Sequence, residues 1–400
     1  MNQVKLGIIG LGNMGSGHCN NILAGLTPEI KLTAAADLRP SRRDWAKETL
    51  PDDVVLFENG EQLIESGLCD AVIIATPHYE HPRLAILAFE HGLHVMSEKP
   101  AGVYTKQVRE MNEAAIRSDK VFGMMFNQRT NCVYRKMHEM VQSSKYGQIK
   151  RVNWIITDWY RTQAYYNSGG WRATWDGEGG GVLLNQCPHN LDLLQWICGL
   201  PCRVRAFCHN GKWHQIEVED DVTAYLEFPN GATGVFVTTT ADAPGTNRFE
   251  ITLERGKLVA EHDKLTFFEL EQSERDFCFT ATGGFEQPAG HEVTIELDGK
   301  NPQHVGVLNA FAGAILRGEP LVADGTEGIR GLELSNAMHL SSWTDQTVTL
   351  PIDEALFLKK LNEHRKDSKV KTEVTEVTFD TSDSYGSKVS DNTDKGGVKA

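Results

Sequence analysis

The chain has 400 residues, a formal net charge of −14, eight Trp and sixteen Phe. This length exceeds what one typical hydrophobic core accommodates, so we expect two domains. The acidic balance argues against nucleic acid and against an anionic membrane surface as partners. No run of eighteen apolar residues occurs, and the N-terminus "MNQVKLGIIGLG" lacks the basic region and cleavage site of a signal peptide. We therefore predict neither a transmembrane helix nor secretion.

The eight cysteines are scattered and form no C-x-x-C pair. Without such a pair near a matching pair of histidines, we expect no zinc site and no other bound metal. Reduced thiols are the default for scattered cysteines, and they predict a cytoplasmic protein.

Strand and helix patterns alternate over the first third of the chain. Buried strands are expected at 4–10, 31–37, 70–76, 94–100 and 121–128, with helices at 81–92 and 104–119 between some of them. Repeated strand–helix–strand order predicts a parallel sheet covered on both faces. We assign residues 1–128 to this domain.

The sequence pattern changes after residue 130. One helix is expected at 132–147, followed by alternating strands at 149–161, 222–240 and 248–262, with "PNG" and "RG" as hairpin turns. This pattern predicts a second domain, 129–352, with an open antiparallel sheet and with helical segments at 302–318 and 324–343 packing back on the body. The fold class is therefore α/β plus α+β. An open sheet face argues for a homo-oligomer.

Residues 353–400 form a C-terminal extension. From about Asp367 the chain is polar and rich in Thr and Ser. A disordered tail is one interpretation. The alternation in "VKTEVTEVTF" (370–379) supports another, an edge strand lent to a neighbouring subunit.

The stretch "GLGNMG" places Gly10, Gly12 and Gly15 directly after the first strand and before a helix. These glycines suit a tight turn, the close approach of a pyrophosphate, and close packing of helix on strand. The N–H groups that open the helix, at Asn13 and Met14, favour an anion. The sequence therefore predicts a dinucleotide site.

Asp37 ends the second strand, where a carboxylate takes the ribose hydroxyls of adenosine. It favours NAD over NADP, because a 2′-phosphate beside a carboxylate is repelled. The neighbouring residues Arg39, Arg42 and Arg43 would tolerate that phosphate, and Arg39 is a candidate cofactor contact.

Several polar residues follow the later parallel strands, where open α/β sheets bind ligands. "ATPHYEH" and "SEKPAG" end two such strands, and "FNQRTN" follows the last. The candidate cofactor contacts are Thr76, Pro77, His81, Glu98, Lys99 and Asn127. The alternative for His78 and His81 is an ordinary place at a helix start. Lys99 would point into the crevice, where burial and the nicotinamide cation lower a lysine pKa.

The stretch "LLNQCPHNLDLLQW" carries Asn185, His189 and Asp192 through an apolar segment. On a helix these spacings put polar groups on one face. They either satisfy one another or face a ligand.

The preceding segment, "YYNSGGWRATWDGEGGG" (165–181), is long, glycine-rich and aromatic. Aromatic faces suit pyranose C–H groups, and charged groups bind hydroxyls. The candidate substrate contacts here and nearby are Arg129, Tyr160, Trp171, Arg172, Trp175 and Asp176. The alternative is a loop packed by its own tryptophans.

The order G-x-G-x-x-G, A-T-P, E-K-P and G-G-G-x-L-x-N-x-x-x-H-x-x-D resembles the Gfo/Idh/MocA oxidoreductases over about residues 4 to 350. The resemblance implies a Rossmann domain, a second domain whose open sheet often forms subunit interfaces, and hydride transfer between a nicotinamide and a sugar or cyclitol carbon. It implies catalytic roles for Lys99 and His189. Many members have Asp where this chain has Asn185, which puts a lysine–aspartate–histidine triad in doubt and leaves Asn185 to position a hydroxyl.

The resulting hypothesis is an NAD-dependent oxidoreductase acting on a secondary hydroxyl of a sugar, glycoside or cyclitol, with C3 of a pyranoside as one site. One alternative is an NAD-dependent glycosidase that works through a transient keto-sugar. Another is a non-catalytic NAD-binding regulator, which the presence of Lys99 and His189 disfavours.

Overall fold

The structure, a computed structural model, describes residues 3–369 and residue 371. The tail strand predicted at 370–379 lies outside the described residues apart from Lys371. Among the described residues, no helix is long and apolar enough to cross a membrane.

The first domain contains a six-stranded parallel sheet in the order β3-β2-β1-β4-β5-β6. Its strands are β1 Val4–Ile9, β2 Ile30–Ala36, β3 Val55–Phe57, β4 Ala71–Ile74, β5 His94–Ser97 and β6 Phe122–Met124. This order defines the doubly wound dinucleotide-binding fold and confirms the predicted parallel sheet.

Helices cover both faces of this sheet: α1 Asn13–Leu23, α2 Pro40–Thr49, α3 Gly60–Glu65, α4 Glu80–Glu90 and α5 Thr105–Ser118. Successive strand residues point to opposite faces. Accordingly Ile8 and Ile9 are both buried but belong to two different core clusters. Two-sided burial explains why these strands read as continuous apolar runs.

The second domain is built on a nine-stranded sheet in the order β14-β13-β12-β11-β7-β10-β9-β8-β15. Its strands are β7 Ile149–Ile156, β8 Arg203–Asn210, β9 Glu219–Glu227, β10 Thr233–Thr239, β11 Asn247–Leu253, β12 Gly256–Glu261, β13 Lys264–Leu270, β14 Gly290–Thr294 and β15 Val348–Thr349. All pairs are antiparallel except β7 with β10. The predicted mainly antiparallel sheet is confirmed.

The remaining helices are α6 Cys132–Gln142, α7 Gln163–Asn167, α8 Pro188–Cys198, α9 Glu274–Thr280, α10 Gln303–Arg317, α11 Gly328–Thr344 and α12 Glu354–Lys366. One face of the large sheet is packed, with Trp154, Phe236 and Phe249 fully buried. The other face leaves Ile155 and Tyr225 exposed.

Two helices return to the body of the protein. Phe311 of α10 shares a core cluster with Leu6 and Ile8 of β1, so this helix lies over the first sheet. The segment after residue 353, predicted as a polar extension, instead begins with α12, because Phe357 and Leu361 give it an apolar side that is fully buried.

Candidate active site

The glycine turn after β1 has the geometry that a pyrophosphate needs. Gly10 has φ +92°, and a Cβ on Gly15 would lie 1.8 Å from the Gly10 oxygen. A Cβ on Gly12 would meet open space, on the side where α1 begins. The turn therefore combines two sterically required glycines with free room before a helix N-terminus, which fits a dinucleotide.

Asp37 stands beside this turn, at the end of β2, and is nearly buried. One carboxylate oxygen accepts from the backbone N–H of Leu11 at 2.8 Å and the other from that of Arg39 at 2.8 Å. Arg42 donates to the Leu11 carbonyl at 2.6 Å, and Arg43 donates to the Asp37 carbonyl at 2.8 Å. These two guanidinium groups are committed to the backbone, while the carboxylate keeps lone pairs for ribose hydroxyls.

Among the described residues, four polar atoms of predicted site residues are buried and have no hydrogen-bond partner. One is Arg172 Nε in the loop at 165–181, and the other three are Thr76 Oγ1, Asn127 Oδ1 and His189 Nδ1. Buried polar atoms are almost always paired in a native protein. The bound cofactor and substrate are the natural source of these missing partners, so the residues fit the nicotinamide end of NAD.

His81 behaves differently from these four residues. Its two ring nitrogens lie 2.7 Å from the Thr76 carbonyl and 2.8 Å from the Pro100 carbonyl. The imidazole thus lies between the loops that follow β4 and β5, and in its neutral form it donates a hydrogen bond to one of the two carbonyls.

Glu98 is a buried carboxylate at the end of β5. It lies 2.7 Å from His18 Nε2, and the His18 ring stands edge-on to His304 at 5.7 Å. Burial by itself would raise the pKa of Glu98, but the hydrogen bond and charge of His18, with smaller contributions from His304 and Lys99, lower it to about 2. Glu98 is therefore a fixed negative charge beside Lys99.

Lys99 and the second domain meet at this edge of the sheet. Lys99 Nζ donates to the main-chain oxygen of Asn185 at 3.2 Å. Burial lowers the pKa of Lys99, and burial with the charge of Lys99 lowers the pKa of His189 well below its usual value. His189 is consequently a neutral imidazole at pH 7, able to accept a proton.

The polar stripe seen in the sequence is divided in the structure. Asn185 precedes α8, which begins at Pro188, so only His189 and Asp192 lie on the helix. Asp192 accepts two hydrogen bonds from Arg129, at 2.8 and 2.7 Å, and Arg129 also donates to Glu327 at 2.6 Å. Asp192 therefore binds Arg129 and does not orient His189, and Arg129 is held in a buried ion-pair cluster.

Some predicted residues of the loop at 165–181 lie at the site, and others pack elsewhere. Arg172 donates to the hydroxyl of Tyr165 at 2.6 Å and lies over the Trp171 ring at 4.7 Å, and Trp171 stands edge-on to His78. Trp175, by contrast, donates to the Glu217 carbonyl at 2.9 Å and packs against Trp343.

Two further candidates lie at the surface. Tyr160 is 52 % exposed. Asp176 pairs with Arg365 of α12 at 2.7 Å, outside the cluster around Arg172.

Three residues at the site were not predicted. Tyr165 donates to Asn185 Oδ1 at 3.3 Å, and Glu178 is a buried carboxylate that contacts the Asn185 side chain. Glu219 accepts from the backbone N–H groups of Gly181 and Leu183 at 2.9 and 3.0 Å, and so holds the glycine turn before α8. The one signal available in the sequence was the charged residue inside "GEGGG".

Comparison with known proteins agrees with this arrangement. Residues 4–126 match the NAD-binding Rossmann-fold domain of the oxidoreductase family GFO/IDH/MocA, and residues 134–259 match the GFO/IDH/MocA C-terminal domain. The chain is 23 % identical over 353 residues to myo-inositol 2-dehydrogenase from Thermotoga maritima, covering 87 % of this chain and 98 % of the relative. It is 27 % identical over 225 residues to D-glucoside 3-dehydrogenase from Escherichia coli, covering 51 % and 61 %.

Among solved structures, the WlbA dehydrogenase from Chromobacterium violaceum, in complex with NADH and UDP-GlcNAcA, superposes with a TM-score of 0.73 at 25 % identity. The alignment covers 88 % of this chain and 97 % of that chain. Both family models together span more than half of the sequence. The chain therefore belongs to the GFO/IDH/MocA family and is an NAD-binding oxidoreductase of the sugar and cyclitol dehydrogenase type.

Proposed function

We propose that this protein oxidises a secondary hydroxyl of a pyranoside at C3, with His189 and Lys99 handling the proton. The observation that carries the proposal is that Lys99 and His189, two side chains with a lowered pKa, come together at one edge of the parallel sheet. Lys99 Nζ reaches Asn185 at 3.2 Å, and His189 in the same segment keeps a buried Nδ1 without a partner among the described residues.

The roles follow from the protonation states. His189 is neutral at pH 7, so its imidazole accepts the hydroxyl proton. Lys99 donates one N–H to the main-chain oxygen of Asn185, and its remaining N–H donors orient the substrate oxygen. Bound NAD would supply the hydride acceptor for the substrate carbon. Thr76 and Asn127 offer unpaired polar atoms to hold the cofactor's nicotinamide end.

The loop chemistry supports a carbohydrate substrate. Trp171 presents a half-buried aromatic surface, and Arg172 with Tyr165 forms a polar group next to Asn185. Flat apolar faces together with hydroxyl-binding groups suit a pyranose ring. The similarity to a D-glucoside 3-dehydrogenase supports C3 as the site of oxidation.

The test is to incubate the purified protein with NAD and a panel of sugars and aryl glycosides, and to follow NADH absorbance and aglycone release together. Growth of NADH is expected. Loss of activity by at least about 100-fold is expected in Lys99→Ala and His189→Ala, because each removes a proton-handling group. The matched controls are Lys106→Ala and His91→Ala, whose side chains are exposed away from the site.

Each other outcome would replace the proposal. Aglycone release without net NADH would establish cleavage through a transient keto-sugar. NAD binding with no reaction on any sugar would favour a regulator. Near-full activity of His189→Ala would make the imidazole structural.

We also propose that a second copy of the chain covers the open sheet face and that the protein is cytoplasmic. Ile155, Phe207, Tyr225 and Phe268, each on a strand, are 41–51 % exposed, and contiguous exposed apolar surface marks an interface. All eight cysteines are free thiols, as in a reducing compartment. A mass equal to one chain by light scattering would contradict the oligomer.

A further inference from the structure

Glu178 is a buried carboxylate that the proposed mechanism does not use. It sits in the glycine-rich loop before α8 and is 1 % exposed. One oxygen accepts from the backbone N–H of Ala173 at 2.5 Å, and the other accepts from the side-chain amide of Asn185.

The contacts of Glu178 leave its charge incompletely matched. The nearest cation, Arg172, lies 3.7 Å away and directs its short hydrogen bond to Tyr165. Burial raises the pKa of Glu178, and the charge of Arg172 together with the two hydrogen bonds opposes that rise. A buried carboxylate without a close ion pair is costly, and such groups concentrate at functional sites.

The carboxylate determines how the Asn185 side chain is turned. Ionised carboxylate oxygens only accept hydrogen bonds, so the Asn185 NH₂ must face Glu178. The Asn185 Oδ1 then points the other way, where it accepts from Tyr165 at 3.3 Å. The main-chain oxygen of the same residue accepts from Lys99 Nζ. Asn185 thus stands between the Glu178 carboxylate and the Lys99 amine.

We propose that Glu178 is a positioning residue for this site: its carboxylate fixes the orientation of Asn185 and supplies a second negative charge that acts on Lys99. The inference rests on the proposed function for its catalytic meaning. It assigns to the glycine-rich loop the negative charge that position 185, an asparagine, does not carry.

The surroundings of Lys99 define what removal of this charge does. Four charged groups act on the amine, namely Glu98, Glu178, Arg161 and Arg172. Four imidazoles also face it, namely His78, His81, His189 and His304. Glu98 lies 2.7 Å from His18, whereas the nearest cation to Glu178, Arg172, is 3.7 Å away. Removing the Glu178 charge therefore leaves the surroundings of Lys99 more positive. Loss of that carboxylate makes the amine easier to deprotonate.

The experiment exchanges the carboxylate between the two positions. Glu178→Gln removes the charge, Asn185→Asp adds one, and the double variant Glu178→Gln/Asn185→Asp keeps a single carboxylate on the other partner. Lys99 titration is measured on the full chain by competitive acetylation with acetic anhydride across pH, read by mass spectrometry. Folding and NADH binding are checked by circular dichroism and fluorescence, and Glu217→Gln is the control.

The expected midpoint of Lys99 labelling falls by about one pH unit in Glu178→Gln and rises in Asn185→Asp. It returns toward the wild-type value in the double variant and stays unchanged in Glu217→Gln. With a substrate, the Lys99 limb of the kcat/KM profile shifts in the same directions, and kcat falls about tenfold in Glu178→Gln with rescue in the double variant. If the Glu178 carboxylate were merely structural, its removal would lower stability, but the midpoint of Lys99 labelling would not shift in opposite directions in the two single variants.

An unchanged Lys99 midpoint in folded Glu178→Gln would overturn the inference, as would equal shifts of one sign in both single variants. If Glu178→Gln does not fold, Asn185→Asp decides alone, because an unshifted or lowered midpoint there contradicts the proposal. Labelling requires no substrate. If none of the sugars tested supports reduction of NAD, the proposed function is refuted, and the Lys99 labelling still tests the role of Glu178.

Discussion

At the scale of one residue, we propose that Asp37 governs the choice between NAD and NADP. Its two oxygens each accept one backbone N–H, which holds the carboxylate in a single orientation at the rim of the glycine turn. Of the three nearby cations, Arg42 and Arg43 donate to backbone carbonyls, and the half-exposed Arg39 lies 3.5 Å from the Asp37 carboxylate. We therefore expect the negative charge of Asp37 to be the main recognition element for the adenosine ribose.

We expect Asp37→Ser to weaken NADH binding by about tenfold or more, since it removes the acceptor for ribose hydroxyls, a loss of at least about 1.4 kcal/mol. NADPH binding should improve relative to NADH, because repulsion of the 2′-phosphate disappears. Fluorescence titration with both cofactors measures the two dissociation constants.

The matched control is Asp44→Ser on α2, which removes the same charge seven residues later in the chain and breaks an exposed pair with Lys47. It should leave both dissociation constants unchanged. An Asp37→Ser protein with the wild-type preference would show that the adenosine ribose is recognised elsewhere.

At the scale of elements, Arg129 joins three segments of the chain. It sits in the turn after β6, pairs with Asp192 on α8, and reaches Glu327 just before α11. The side chains of Arg129 and Asp192 are 3 % and 1 % exposed. The cluster therefore fixes the helix that carries His189 to the turn that follows β6.

Arg129→Gln should destabilise the protein by roughly 3–5 kcal/mol, because it leaves the Asp192 carboxylate buried without a counter-charge. Thermal and urea denaturation measure the loss. The comparison variant is Arg330→Gln, which contacts the same Glu327 at 3.4 Å from a half-exposed position. Its expected cost is below 1 kcal/mol. Equal costs for the two variants would contradict the role of burial.

Arg129 also shows which features the sequence can predict and which it cannot. The parallel sheet and the glycine turn are readable, because they depend on local apolar runs and on glycines at fixed spacing. Arg129, by contrast, follows the last Rossmann strand and looks like a pocket residue. Only the fold brings it to Asp192, 63 residues away.

The misplaced and missed features have similar causes. β3 has only three residues at a sheet edge, too few for periodicity. Trp175 and Trp171 lie four apart in one irregular loop, where spacing does not say which ring turns inward. Glu178 was hidden because its partner is a side-chain amide seven residues later, in a loop whose path follows no regular period.

At the scale of the whole molecule, seven imidazoles among the described residues have a lowered pKa. Burial lowers the pKa of His78, His81, His94, His138, His189, His304 and His364 below the usual value. For His304 the pKa falls to about 4. The unfolded chain takes up these protons near pH 6.5, while the folded chain does not.

The sign of the effect follows from that difference. Stability from these imidazoles is complete above about pH 6.5 and is lost as the pH falls toward the folded pKa values, at about 1.4 kcal/mol per pH unit for each group. Glu98, whose pKa is lowered to about 2, adds a further loss below about pH 4.5. The raised pKa values of four carboxyl groups act in the opposite direction, but these groups are fewer than the seven imidazoles. They are Asp158, Glu178, Asp192 and Glu333.

We therefore expect the midpoint of thermal unfolding to fall steadily from pH 7.5 to pH 5. His304→Gln should flatten this dependence by roughly 2 kcal/mol at pH 5, which is 1.5 pH units below 6.5 at about 1.4 kcal/mol each. Scanning calorimetry of the wild type, His304→Gln and the exposed control His91→Gln across this range measures it. A wild-type midpoint that rises toward pH 5, or an identical slope in His304→Gln, would mean that carboxylates rather than buried imidazoles govern the acid response. The acid response also affects catalysis. His189 is neutral and ready for proton transfer only in the folded protein, and acid unfolds that protein.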